Sequence, residues 1–186
     1  SAVCIGSSAG GLRALKLLLS KLPKNFPLPI IIINHIPEET PSLIAPILSS
    51  HSCFEVVEAC ANQKVASGAI YTAPEGYHLL VEDEEYFSIS VDQKVCFCRP
   101  SIDVTFESMA HCYGAKLIGV ILTGGNSDGA IGHKSIRDEG GIGIVQSPGC
   151  AEVNTMPLNA IEIAGADFIL PITEISDKLV ELISNR

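Results

Sequence analysis

The chain has 186 residues, of which 47% are hydrophobic and 18% charged, enough apolar material for one ordinary domain with a sizeable core. Its formal net charge is −9 and it has no run of Lys or Arg, which argues against nucleic acid and anionic lipid as partners. Seven cysteines without a CxxC pair fit a reduced, cytoplasmic setting, and no apolar run approaches a membrane span.

Ala2 to Ile5 forms a short apolar run that empties into Gly6-Ser7-Ser8-Ala9-Gly10-Gly11 and then a helical pattern with Leu12, Leu15, Leu18 and Leu19 on one face. Pro29 to Ile33 is nearly uniform and β-branched, the pattern of a strand buried on both faces, and it ends in Asn34-His35-Ile36-Pro37. Thr40-Pro41 predicts a helix start, with Pro46 keeping that helix short or kinked. Strands are predicted at 54–58, 69–72, 77–81 and 86–91; the solvated turn Glu82 to Glu85 makes the last two an antiparallel hairpin attached to the main sheet. Cys96 and Cys98 alternate about Phe97 in a strand-like run and so share one face, as structural thiols or, alternatively, in a metal or redox role. A helix is expected from Asp103 to Tyr113 and a buried strand from Leu117 to Leu122, running into Thr123-Gly124-Gly125-Asn126-Ser127-Asp128-Gly129. A helix at 130–138, a strand at 142–145, a helix after Pro157, a strand at 168–170 and a terminal helix complete the chain. This alternation predicts an α/β fold: a doubly wound, mostly parallel sheet with helices on both faces and an added antiparallel hairpin. Residues 1–186 read as a single domain.

In such folds ligands sit beyond the carboxyl ends of strands, where three segments converge. Gly6 to Gly11 can present Ser8 at a helix N-terminus; the same loop also reads as a plain glycine turn or an anion cradle, although it lacks the pattern of a dinucleotide or P-loop motif. His35 leaves a strand end, where an imidazole can remove a serine proton, or simply bond backbone. Asp128 can accept the other imidazole N–H and fix its tautomer, or cap the following helix. Together they suggest a serine esterase, with Gly125 as an oxyanion donor. The Ser8 hydroxyl is then expected roughly 2.6–3.5 Å from one His35 ring nitrogen, with Asp128 on the other.

Cys4 to Gly11, Asn34 to Pro37 and Thr123 to Gly129, together with Ala73 to Leu79, Arg99-Pro100-Ser101-Ile102-Asp103 and Met156-Pro157, resemble the catalytic domain of the bacterial chemotaxis protein-glutamate methylesterases over essentially the whole chain. The resemblance implies hydrolysis of glutamyl γ-methyl esters in a chemoreceptor, with release of methanol, and deamidation of receptor glutamines. It places the nucleophile at Ser8 rather than Ser7, adds His35 and Asp128, and implies neither metal nor organic cofactor. Backbone N–H groups of Ala9 and Gly125 would hold the oxyanion, and Arg99 would bind an acidic receptor segment or form an ordinary ion pair. Ala9 stands where many members have Thr, and Gly125 where many have Met. The family's N-terminal receiver domain is not visible, so regulation by a separate receiver protein is one expectation. A non-catalytic domain that binds receptor or signalling helices is the alternative.

Overall fold

The computed structural model describes residues 1–35 and 43–184. Seven strands form one parallel sheet: β1 (Ala2–Ser7), β2 (Ile30–Asn34), β3 (Val56–Glu58), β4 (Ile70–Thr72), β7 (Leu117–Ile121), β8 (Ile142–Gln146) and β9 (Phe168–Leu170), in the order β3-β4-β2-β1-β7-β8-β9. The remaining two, β5 (His78–Val81) and β6 (Phe87–Ser90), pair antiparallel. Helices α1 (Gly11–Lys21), α2 (Ile44–Ser50) and α6 (Ile172–Ser184) cover one face, and α3 (Ile102–Tyr113), α4 (Ala130–Asp138) and α5 (Thr155–Ala164) the other.

The uniform apolar strands explain this two-sided burial. Successive side chains point to opposite faces, so Val3, Ile5, Ile30 and Ile32 enter the α1/α2/α6 core while Ala2, Cys4, Ile31 and Ile33 enter the α3/α4/α5 core. Each core is continuous, and either row of side chains made polar would strip one helical layer from the sheet. From β1 the chain passes to β2, crosses to the edge strand β3, fills the place between them with β4, then returns to place β7 on the other side of β1. The switch point lies at the carboxyl ends of β1 and β7, which open the Ser8 and Thr123 loops.

Three details differ from the sequence reading. The β5–β6 hairpin is a separate two-stranded sheet rather than an extension of the main one, because it packs on α3. Thr105 donates to the Leu79 carbonyl and Ser108 accepts from Val81 N–H, at 2.8 and 3.1 Å. Helix α5 begins at Thr155, with Pro157 inside its first turn, where a proline displaces no helical hydrogen bond. Cys96 and Phe97 are not strand but the two central residues of a tight hairpin turn, with φ of 49° and 64° and reciprocal Val95–Cys98 backbone bonds. Phe97 is thrust out, 95% exposed. The expected helix start at Thr40-Pro41 lies outside the described residues; Pro46 falls in the first turn of the short α2.

One buried polar group stands apart. Helix α4 points His133, fully buried, at the sheet backbone, where a Cβ on Gly143 would come within 2.6 Å of its Nε2. Neither ring nitrogen has a hydrogen-bond partner among the described residues.

Candidate active site

The β1–α1 turn needs both of its last glycines. Gly10 has φ of 77°, and a Cβ on Gly11 would fall 2.3 Å from Asn34 Oδ1 and 2.6 Å from Ser7 Oγ. Those two atoms are bonded to each other: Ser7, fully buried, donates to Asn34 at 2.7 Å. Ser7 is thereby committed to structure, tying the end of β1 to the end of β2. Ser8 is half-buried instead, its N–H donating to the Thr123 carbonyl and its own carbonyl accepting from Gly11. Its side chain makes no hydrogen bond among the described residues.

His35 follows directly from β2, and its backbone N–H donates to the Ser7 carbonyl at 3.1 Å, which sets the histidine beside the serine loop. Its Nε2 lies 2.7 Å from Asp128 Oδ2. No Ser8 contact to Nδ1 is formed among the described residues; Cys98 Sγ lies 3.4 Å from that nitrogen instead. Burial alone would lower the imidazole pKa, but the Asp128 hydrogen bond and the Cys98 contact outweigh it and raise the value to about 9.

Asp128 is fully buried at the N-terminus of α3, and both oxygens are saturated. Oδ1 accepts from Ser101 Oγ at 2.8 Å and Asp103 N at 3.1 Å; Oδ2 accepts from Ile102 N at 2.7 Å as well as from His35. Burial would push this carboxyl up, yet His35 and the Ile102 and Asp103 N–H groups hold it below the ordinary carboxylate range. At Asp103, next to it, burial wins instead: its pKa rises to about 6, despite an accepted bond from Gly132 N at 2.7 Å. Ser101, Ile102 and Asp103 stand in one of the quoted motifs, but nothing in their spacing from Asp128 shows that they receive it.

The neighbouring groups divide in the same way. Thr123 Oγ1 donates to the Ala9 carbonyl and accepts from Val153 N, both at 2.9 Å, clamping the serine loop from beneath. Ala9 and Gly125 are exposed, and their N–H groups have no acceptor among the described residues. A Cβ on Gly125 would meet only Val153 at 3.9 Å, so the loop there has room for a side chain. Arg99 forms no ion pair among the described residues; its Nη1 donates to the Val91 and Asp92 carbonyls at 2.9 and 3.1 Å. Two groups could approach a metal ion, His35-Cys98-Asp128 and Cys96-Asp103-Asp128. Both share Asp128, whose oxygens already accept four donors, so a cation would have to displace them.

The arrangement can hold one imidazole tautomer and deliver its other nitrogen to a half-buried rim. A model of the CheB methylesterase family matches residues 3–179. A Leptospira interrogans protein, provisionally named a protein-glutamate methylesterase/protein-glutamine glutaminase, is 44% identical over all of this chain and 96% of its own length. A protein named for the same two activities in Archaeoglobus fulgidus is 38% identical over 97% of this chain, which spans 53% of that relative. The crystal structure of the Thermotoga maritima CheB methylesterase catalytic domain superposes with a TM-score of 0.93 at 37% identity, over 98% of this chain and 99% of that one. The chain belongs to the CheB methylesterase family.

Proposed function

We propose that this chain is a protein-glutamate methylesterase that removes γ-methyl esters from chemoreceptor glutamates and deamidates receptor glutamines, with Ser8 as nucleophile, His35 as base and Asp128 as its orienting carboxylate. The observation that carries the reading is the His35 Nε2–Asp128 bond of 2.7 Å. With Nε2–H fixed on the carboxylate, Nδ1 is the basic nitrogen of the neutral ring, and it faces the rim beside the Ser8 loop.

In the reaction Ser8 Oγ takes the place of Cys98 Sγ at Nδ1. His35 removes the hydroxyl proton as Ser8 attacks the ester carbonyl, then returns it to the methoxide, which leaves as methanol. Water activated by the same nitrogen cleaves the glutamyl-serine ester. The uncommitted N–H groups of Ala9 and Gly125 are the donors for the oxyanion. Arg99 contributes to receptor binding through Nη2, since Nη1 is engaged by backbone. All seven cysteines are free, which supports a cytoplasmic setting, and no helix among the described residues is long and apolar enough to cross a membrane.

Methanol release from a methylated cognate receptor tests this reading. Ser8→Ala should lower turnover by about 10³-fold or more while leaving the fold intact. No turnover by folded wild-type protein would overturn the reading, and hydrolysis of small esters alone would leave a broader esterase.

A further inference from the structure

We propose that Cys98 is a reactive thiol built into this site, a modification site for small electrophiles such as peroxides, and that its modification silences the esterase. The thiol belongs to a chain of four groups. Its Sγ lies 3.4 Å from His35 Nδ1, whose Nε2 is 2.7 Å from Asp128, the connectivity of a nucleophile, a base and an orienting carboxylate. Asn126 Nδ2 donates to the same sulfur at 3.3 Å, and Asn126 is itself oriented by accepting from Asp128 N–H. Asn126 and the imidazole thus bring two polar groups to the one sulfur, and the imidazole can take its proton as the sulfur attacks. The raised His35 pKa, about 9, agrees with a protonated partner at neutral pH.

The other cysteines make the contrast. Cys4 is fully buried, and burial pushes its thiol up; the same cause raises Cys96 and Cys112. Cys60 and Cys150 are exposed, and each thiol donates to a backbone carbonyl rather than to an imidazole. Cys98 also lies 3.4 Å from the Cys96 carbonyl, but among the described residues it alone touches an imidazole. Half-buried at the base of the turn whose tip is Phe97, it can be reached by a small reagent rather than a protein.

With hydrogen peroxide the sulfur attacks one oxygen and the O–O bond breaks. The departing hydroxide takes a proton from His35 and leaves as water. Sulfur is oxidised by two electrons to the sulfenic acid, and peroxide is reduced. With iodoacetamide a sulfur–carbon bond forms and iodide leaves. Either product occupies Nδ1 and withholds it from Ser8; this inhibitory half rests on the function proposed above.

The full chain is treated with iodoacetamide at pH 6.5, labelling is followed at each cysteine by mass spectrometry, and methanol release is measured alongside. Cys98 should label about 10-fold faster than Cys53, Cys60 and Cys150, and His35→Asn should reduce that advantage to about 2-fold or less. Activity should fall in step with Cys98 labelling, and Cys98→Ser should keep its own untreated rate after treatment, as should peroxide-treated Cys98→Ser. Labelling of Cys98 no faster than of the exposed cysteines overturns the reactive thiol; activity that survives complete Cys98 labelling overturns the inhibition. An enzyme inactive before treatment would sink the functional reading, while the labelling order and its dependence on His35 would still decide the thiol.

Discussion

His35 and His133 are both taken out of water, yet they respond in opposite directions. His35 has a partner on each ring nitrogen, and its pKa rises to about 9. His133 has none among the described residues, and its pKa falls to about 4, through burial first and the nearby Arg137 second, with Asp167 opposing. Burial always disfavours the charged ring; the partners decide whether that penalty wins. A buried titratable group without partners therefore sets acid stability, while the same group with partners can be handed to chemistry.

The strongest way to break the comparison is to remove the partner that defines His35. Asp128→Asn keeps the shape but offers an amide where a carboxylate fixed the ring, and turnover in the methanol assay should fall by about 10⁴-fold. A loss below about 10-fold would mean that Asp128 serves the α3 N-terminus and not the imidazole.

The next largest effect lies with His133. Its folded pKa is below the unfolded value of 6.5, so the unfolded chain binds the extra proton first and stability is lost as the pH falls from about 6.5 towards 4. His133→Leu removes this titration. The stability of the variant relative to wild type, by urea denaturation, should be about 2 to 3 kcal/mol more favourable at pH 4.5 than at pH 7.5. Equal pH dependence in the two proteins would show that His133 finds a proton acceptor.

The smallest effect sharpens the His35 side. The reactive ring must be neutral, so kcat/KM should rise about tenfold per pH unit up to a bend near pH 9. Cys98→Ala removes one contribution to that raised value, and the bend should move to lower pH. A bend near 6.5 in wild type would mean that Asp128 and Cys98 leave the ring unperturbed.

Much of this was legible in the sequence because burial on two faces leaves a strong mark. Ile30 to Ile33 and Leu117 to Leu122 read as central strands, and the meeting of His35 with Asp128 followed from the loops that leave them. The Cys98 contact did not, since the turn that delivers it uses Cys96 and Phe97 at positive φ instead of the Asn-Gly or Gly residues that signal such a turn. Nor did the donors to Asp128: Ser101, Ile102 and Asp103 reach it across 25 to 27 positions, through the docking of α3 against the β7 loop, and no periodicity records that. The hairpin was visible as a hairpin, but its seat on α3 was not, because two hydroxyls, Thr105 and Ser108, make the join.

The central place of β1 has one more consequence. Its neighbour β7 comes from far along the chain: Cys4 and Ile118, in contact, are 114 positions apart. Closing so long a loop costs entropy that only the finished sheet offsets, so the site is among the last things the chain acquires as it folds. The exposed turn at 82–85 divides the molecule into a half that carries Ser8 and His35 and a half that carries Asp128 and the α3 N-terminus which receives it. Neither half alone possesses the proposed base, His35, in its oriented form. On the proposed mechanism, catalytic competence in this domain is a property of complementation between two pieces of one chain, as complete as that of two subunits.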